Sequence, residues 1–372
     1  MNRLLTNILL GIALASILIL GSCSSDNSGE DMIDGFDRGA MLVNWADNII
    51  IPAYESYYST LQSLELTADA FETEKNSVNL QSMQDAWLEA YVAWQHVSMF
   101  EIGKAETISL RDFTNIFPAN AAQIEANISS GDYNLELPSS RDQQGFPALD
   151  YLLFGIGSTN DEILTKHTSN DEYTSYTIAL INRLVSITAE VLNDWKNGYR
   201  DSFVMNNGSE ASSSVNKLAN DFLFYYEKSL RAGKIGIPAG VFSASPLPDR
   251  VEGLYARNVS KQLFDASLEA TVDFFNGTHF NSTTKGESLS SYLDYLSDIT
   301  VTESLSEEIN NQFTASKQAA SNLEDSFYNQ VESNNQLMLE TYDELQKNVV
   351  LMKVDMLQAM NISVDYIDAD GD

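Results

Sequence analysis

One cysteine, three histidines and seven prolines occur in 372 residues. A lone cysteine excludes an internal disulfide, so packing must hold the fold together. The histidines (His96, His167, His279) are far apart, and none has a Glu three or four residues away in a helical stripe. No His-Glu-x-x-His occurs, which excludes a standard zinc-protease centre. There is no Gly-x-Ser-x-Gly nucleophile elbow. There is also no phosphate-binding glycine loop of the P-loop or Rossmann type; Gly233 to Gly240 has glycines but lacks a preceding strand and the right spacing. Basic residues are scarce, with 21 Lys+Arg against 53 Asp+Glu and a net charge of -32. Such a field repels phosphate backbones and excludes nucleic acid as a partner.

What is present begins with an address. Met1-Asn2-Arg3 carries one positive charge, Leu4 to Leu20 is almost wholly apolar, and Leu20-Gly21-Ser22-Cys23 closes the run. This resembles a bacterial lipoprotein signal, which implies cleavage before Cys23 and lipidation of that cysteine. Residues 1–22 are then the signal peptide, and 23–36 are a flexible acidic tether. The expected location is the outer membrane, on its periplasmic or outer face, with the membrane as a partner through Cys23. An uncleaved anchor helix is the other reading, but the apolar run is near the lower limit for a bilayer span.

From residue 37 the chain reads helical. Trp45, Ile49, Tyr57, Leu61 and Leu64 fall on helical spacings, with Pro52 as a bend or restart. Trp87, Tyr91, Trp94 and Val97 form an aromatic stripe. Tyr176, Leu180, Leu184, Ile187 and Val191 form another; Leu263, Phe264, Leu268, Val272 and Phe275 form a third, stopped by Asn276-Gly277. Tyr342, Leu345, Val349, Met352 and Met356 complete the set. The one short strand candidate is Asn361 to Ile367. The expected fold is all-α, two helical-bundle domains with a cleft between them. The polar stretch Asn206 to Ser214 divides an N-terminal domain, 37–205, from a C-terminal domain, 215–372.

Several ordered segments together resemble the imelysin family. They are Ile50 to Tyr54; Ala86-Trp87 and Ala93-Trp94 followed by Phe100 and Gly103; Gly145 to Gly155; Lys234 to Gly240; Val251-Glu252 to Asn276-Gly277; and the terminal run from Leu351 to Asp372. The resemblance implies two helical bundles with a functional site in their cleft. It also implies export, a role in bacterial iron uptake, and a peptidase activity described for some members. Its presumed metal signature is Gly-x-His-x-x-Glu, in which His and Glu share one helix face and one cation.

Here Gly145 keeps the first position, Pro147 replaces the His and Asp150 replaces the Glu. Proline offers no ligand atom, so Asp150 is left as a weak metal candidate. Gly145-Phe146-Pro147 can instead simply start a helix. A Glu expected four residues after the second Trp is Ser98. His96 lies at no motif position. Arg250 is expected to pair with a carboxylate or, failing that, to meet an anionic ligand. The acidic end from Asp368 to Asp372 could bind calcium but is too short for an EF-hand loop.

These residues lead to an expectation of a lipoprotein that binds a metal species, iron or another divalent ion, or an uptake-system protein, without catalysis. Gly145, Phe146, Pro147, Asp150, Trp94 and Ser98 are the expected cleft positions. Asp150 would be the anionic contact, Trp94 a wall, and Ser98 a hydroxyl. A metallopeptidase is the alternative, and a partner-binding lipoprotein with a decayed site is a third reading.

Overall fold

The computed structural model describes residues 35–300 and 304–366. Cys23, the signal and most of the tether lie outside the described residues, as does the acidic end from Asp368. Among the described residues the architecture is helical with no strand; one isolated antiparallel bridge joins Thr278 and Lys285. None of the described helices is long and apolar enough to cross a membrane.

The N-terminal half is organised by α1 (Ile51–Thr73), α2 (Ser77–Gln95), the short α3 (Gly145–Asp150) and α4 (Asp171–Asp194). Each long helix buries its apolar stripe, as the 3.6-residue period requires. Tyr57, Leu61 and Leu64 of α1 are sealed in the core, as are Trp87, Tyr91 and Trp94 of α2. Tyr176, Leu180, Leu184, Ile187 and Val191 of α4 complete the layer. α1 packs against both α2 and α4. Starts are capped where the sequence supplies a short polar side chain: Asn76 accepts the Asn79 amide at 2.9 Å, and Asn170 accepts that of Glu172 at 3.1 Å. Pro52 does not break the chain. It sits where the wider π-type turns of Asn44–Ile50 run into α1, a junction that tolerates a missing amide donor.

The C-terminal half contains α5 (Ser214–Phe224), α6 (Ser260–Phe275), α7 (Leu305–Ala320) and α8 (Phe327–Val350). α5 continues without a break as a π-type helix, Tyr225–Gly236, which lies along α8. α7 packs on α8, and α6 reaches across to α2 in the other half. α6 stops at Phe275. Gly277 follows with φ +66°, and a Cβ there would lie 2.5 Å from the Gly286 carbonyl oxygen. The stretch 206–213 is a loop, pinned by Asn216 donating to the Ser209 and Glu210 carbonyls. The residues on both sides of it belong to one compact unit that begins at Phe36.

The expected strand at 361–367 is absent: residues 361–366 form a turn and irregular chain, and Ile367 lies outside the described residues. Among the described residues the segment has no neighbouring strand to pair with. Instead the Asn220 side chain takes its backbone groups, donating to the Ser363 carbonyl and accepting the Asp365 amide, both at 3.1 Å. Alternating residues alone do not make a strand when a side-chain amide already satisfies the backbone.

Candidate functional site

Gly145 opens α3 with φ +76°, and a Cβ there would lie 2.1 Å from the Thr114 carbonyl oxygen. Only glycine fits that approach. Phe146 then stacks on Tyr91, with ring centroids 4.4 Å apart and planes 5° from parallel, and its carbonyl accepts from Trp87 Nε1 at 3.2 Å. Pro147 is buried in the first turn of α3. Asp150 is buried, and both its oxygens are occupied: Oδ2 accepts the Tyr255 amide at 2.9 Å and Oδ1 the Ala256 amide at 2.8 Å. Burial pushes its carboxyl up to about 7, against the pull of those amides and Arg257. At Gly155 a Cβ would lie 2.5 Å from the Tyr255 ring. The whole motif segment thus clamps the chain around Tyr255.

These residues do not fit a metal. Position 147 offers no donor atom, and the Asp150 oxygens are spent on amides. Among the described residues no group of three or more His, Cys, Asp or Glu could hold a metal ion. His167 is buried between Thr174 Oγ1 and the Leu152 carbonyl, and burial lowers its pKa to about 4. His96 lies edge-on to Phe280 beside a separate hollow that also holds Glu269 and Asp273; burial lowers its pKa.

The cleft lies elsewhere. A hollow of about 320 Å³ is lined by the end of α2 and the 111–117 segment on one side, and by Phe224 to Ile237 with Arg250 on the other. Trp94 and Ser98 line it; Gly145, Phe146, Pro147 and Asp150 do not. Trp94 forms wall. The Ser98 hydroxyl donates to the Gln95 carbonyl at 3.2 Å. Of the six expected positions, the hollow thus takes the two on the α2 side and none of the four in α3.

The floor of the cleft is a closed polar network. Lys234 and Glu252 form a buried ion pair through Nζ and Oε2. Gln95 Oε1 accepts from Lys234 Nζ at 2.9 Å and from Ser267 Oγ at 2.8 Å. Glu252 Oε1 accepts from Asn115 Nδ2 at 2.7 Å and Gln95 Nε2 at 3.3 Å. Tyr91 donates to Asn115 Oδ1 at 2.6 Å, and burial, reinforced by the negative charges of Glu252 and Asp150, holds its phenol well above the usual range. One network ties α2, the 111–117 segment, the Tyr225–Gly236 helix and α6 together.

Sequence reasoning quoted Lys234 and Glu252 as parts of separate segments but missed their pairing. It also missed Arg111, Asn115 and Lys228. One signal was available: Lys228, Arg231 and Lys234 recur every three residues in a chain poor in cations. Among the described residues the ion pair expected for Arg250 is not formed. Glu252, its sequence neighbour, is already taken by Lys234, and Arg250 stands exposed at the rim.

The sequence profile of the Imelysin family matches residues 50–351. The chain belongs to the imelysin family. Two solved structures share its fold. One is a presumed iron-regulated protein A precursor from Parabacteroides distasonis, 17% identical over 85% of this chain and 93% of that one, with a TM-score of 0.70. The other is an imelysin-like protein from Psychrobacter arcticum, 16% identical over 88% of this chain and 97% of that one, with a TM-score of 0.66. Among curated proteins none matches the chain significantly. This imelysin relative keeps the family's helical architecture but carries Pro147 and a fully engaged Asp150 at its signature positions.

Proposed function

We propose that this protein is a non-enzymatic binding lipoprotein of a bacterial uptake system, tethered to the outer membrane through Cys23. The cleft between Trp94 and Tyr225 receives its ligand. The observation that carries this reading is the division of labour between the two segments. The signature helix α3 is spent on architecture, whereas the cleft has an open hollow over a satisfied polar floor. A hollow of this size with a few convergent polar groups is the usual form of a small-molecule site. Iron enters through the description of the Parabacteroides relative, and the cargo is read as a metal-bearing species rather than a bare cation.

A peptidase would need an activated water, which a metal would supply, and the motif residues here do not fit that metal. Incubating the full chain with unfolded casein, with and without added zinc or iron, should release no peptides above background. Metal-dependent cleavage that Asp150→Ala removes would overturn the proposal. So would unchanged growth of a deletion strain under iron limitation.

A further inference from the structure

The cleft wall gathers four of the chain's 21 basic residues, namely Arg111, Lys228, Lys234 and Arg250, against one acidic residue, Asp112. In a protein of net charge -32 the clustering is uneven, but three of the four cations are paired with carboxylates, so it is Arg250 that brings uncompensated positive charge to the wall. Asp112 is paired as well, its Oδ2 lying 2.9 Å from Arg141. Three of the cations are held from behind by carboxylates: Arg111 by Asp221 at 3.0 Å, Lys228 by Glu227 at 2.9 Å, and Lys234 by Glu252. Those contacts fix the cations in place at the wall. Arg250 differs: it is exposed at the rim and makes no side-chain hydrogen bond or ion pair among the described residues.

The apolar part of the wall is aromatic. Trp94, Phe117, Phe224 and Tyr225 line the hollow, and the Arg111 guanidinium lies 5.7 Å from the ring centres of both Phe224 and Tyr225.

We infer that the cleft binds an organic anion: a small molecule with a ring-sized apolar body against the partly exposed Phe117 and Phe224, and a carboxylate or similar group facing Arg250 and Lys228. This rests on the cleft being the binding site proposed above and names the class of its ligand. A bare metal cation finds no unpaired carboxylate among the described residues lining the cleft, whereas a metal held in an anionic chelate is compatible with Arg250. Inorganic phosphate offers the charge but nothing for the aromatic wall. The guanidinium of Arg250 suits a planar carboxylate because it can donate two parallel hydrogen bonds.

The test titrates the full chain with salicylate, its neutral isostere salicylamide, and inorganic phosphate, followed by calorimetry and by tryptophan fluorescence. Salicylate should bind saturably, at least about tenfold more tightly than salicylamide, and more tightly than phosphate. Arg250→Gln should weaken salicylate about fivefold or more and leave salicylamide unchanged. Arg250 is exposed, so its replacement leaves the fold intact; Lys228→Gln should weaken salicylate in the same direction. Raising the salt from about 20 to 300 mM should weaken salicylate alone. Salicylamide binding as tightly as salicylate, and lost in Phe117→Leu, would overturn the anion while leaving the cleft as the site. Salicylate binding insensitive to both Arg250→Gln and Lys228→Gln would also overturn the anion. Absence of saturable binding by either compound would overturn the anion and, if protein purified from its native host also carries no small molecule, the cleft with it.

Discussion

Lys234 and Glu252, 18 residues apart, meet as a buried ion pair beneath the cleft, both almost wholly removed from solvent. Burying two charges is costly, and the cost is partly offset here because Lys234 also donates to Gln95 Oε1 and Glu252 also accepts from Asn115 and Gln95. Removing one partner leaves the other charge uncompensated. Glu252→Gln should therefore destabilise the fold by about 3–5 kcal/mol, measured by urea unfolding. Lys234→Met combined with Glu252→Leu should cost less than the sum of the single changes, with a coupling of about 1 kcal/mol or more. Simple additivity of the two would show that the pair does not act as a unit.

The helices were legible because burial repeats every three to four residues and each stripe is local. Trp87, Tyr91 and Trp94 announce α2 without knowledge of anything distant. The fold class and the stop at Asn276-Gly277 followed in the same way. The cleft was less legible. Its floor depends on side chains from five separated segments, and nothing in the spacing of Gln95, Asn115, Lys234, Glu252 and Ser267 reveals that they converge. The motif around Gly145 pointed to a site that the chain has converted into a clamp, since Asp150 looks the same in sequence whether it faces a cation or two amides. The irregular end at 361–366 shows the limit of short alternating patterns: whether a strand forms depends on a neighbour the pattern does not encode.

Restoring the family signature should not restore a metal site. Pro147 is buried against the core in the first turn of α3, so a histidine there would have to displace packed neighbours. Pro147→His with Asp150→Glu should cost about 1–3 kcal/mol or more from overpacking. It should show no tight iron or zinc binding by calorimetry, because the longer carboxylate still faces the Tyr255 and Ala256 amides. Binding of one metal per chain at micromolar concentration would contradict this account of the motif.

Asp150→Asn isolates the clamp. One oxygen becomes an NH₂ group facing a backbone N–H, so a hydrogen bond is replaced by a donor–donor clash. The expected loss is about 1–3 kcal/mol in thermal or urea unfolding. Hydrogen exchange should rise at the Tyr255 and Ala256 amides before it rises in α1 or α4. Uniform loosening of the whole chain would place the role of Asp150 elsewhere.

Stability should fall as pH rises above about 6.5, and Glu101 is a main cause. Both its oxygens face the Arg111 amide, at 3.2 and 3.0 Å, and burial pushes its carboxyl up to about 8 against the pull of Arg111. The folded state therefore holds a proton that the unfolded chain releases near pH 4.5, and stability declines as pH climbs through that window. Asp150, raised to about 7, acts with the same sign over a narrower range. His167, lowered to about 4, acts oppositely, but only below its ordinary value of 6.5. Between pH 6.5 and 8 the carboxyls are thus unopposed by it. The melting temperature should drop across that interval, and Glu101→Gln should flatten the slope; an unchanged slope in Glu101→Gln would remove Glu101 as the cause.

Gly145→Ala tests the part of the motif this chain has kept. The new methyl would enter a backbone conformation at φ +76° and lie 2.1 Å from the Thr114 carbonyl oxygen. Neither term can be relieved by a rotamer change, because the obstacle is backbone and Thr114 itself is fully buried. The 111–117 segment must move or α3 must tilt, and either shift would disturb Arg111 and Asn115 at the cleft. The expected cost is about 3 kcal/mol or more, well above that of an ordinary glycine-to-alanine change. Because the strain passes through residues that line the cleft, salicylate affinity should fall along with the melting temperature in Gly145→Ala. A variant that loses stability but binds salicylate normally would show that α3 supports the core alone and does not set the geometry of the cleft.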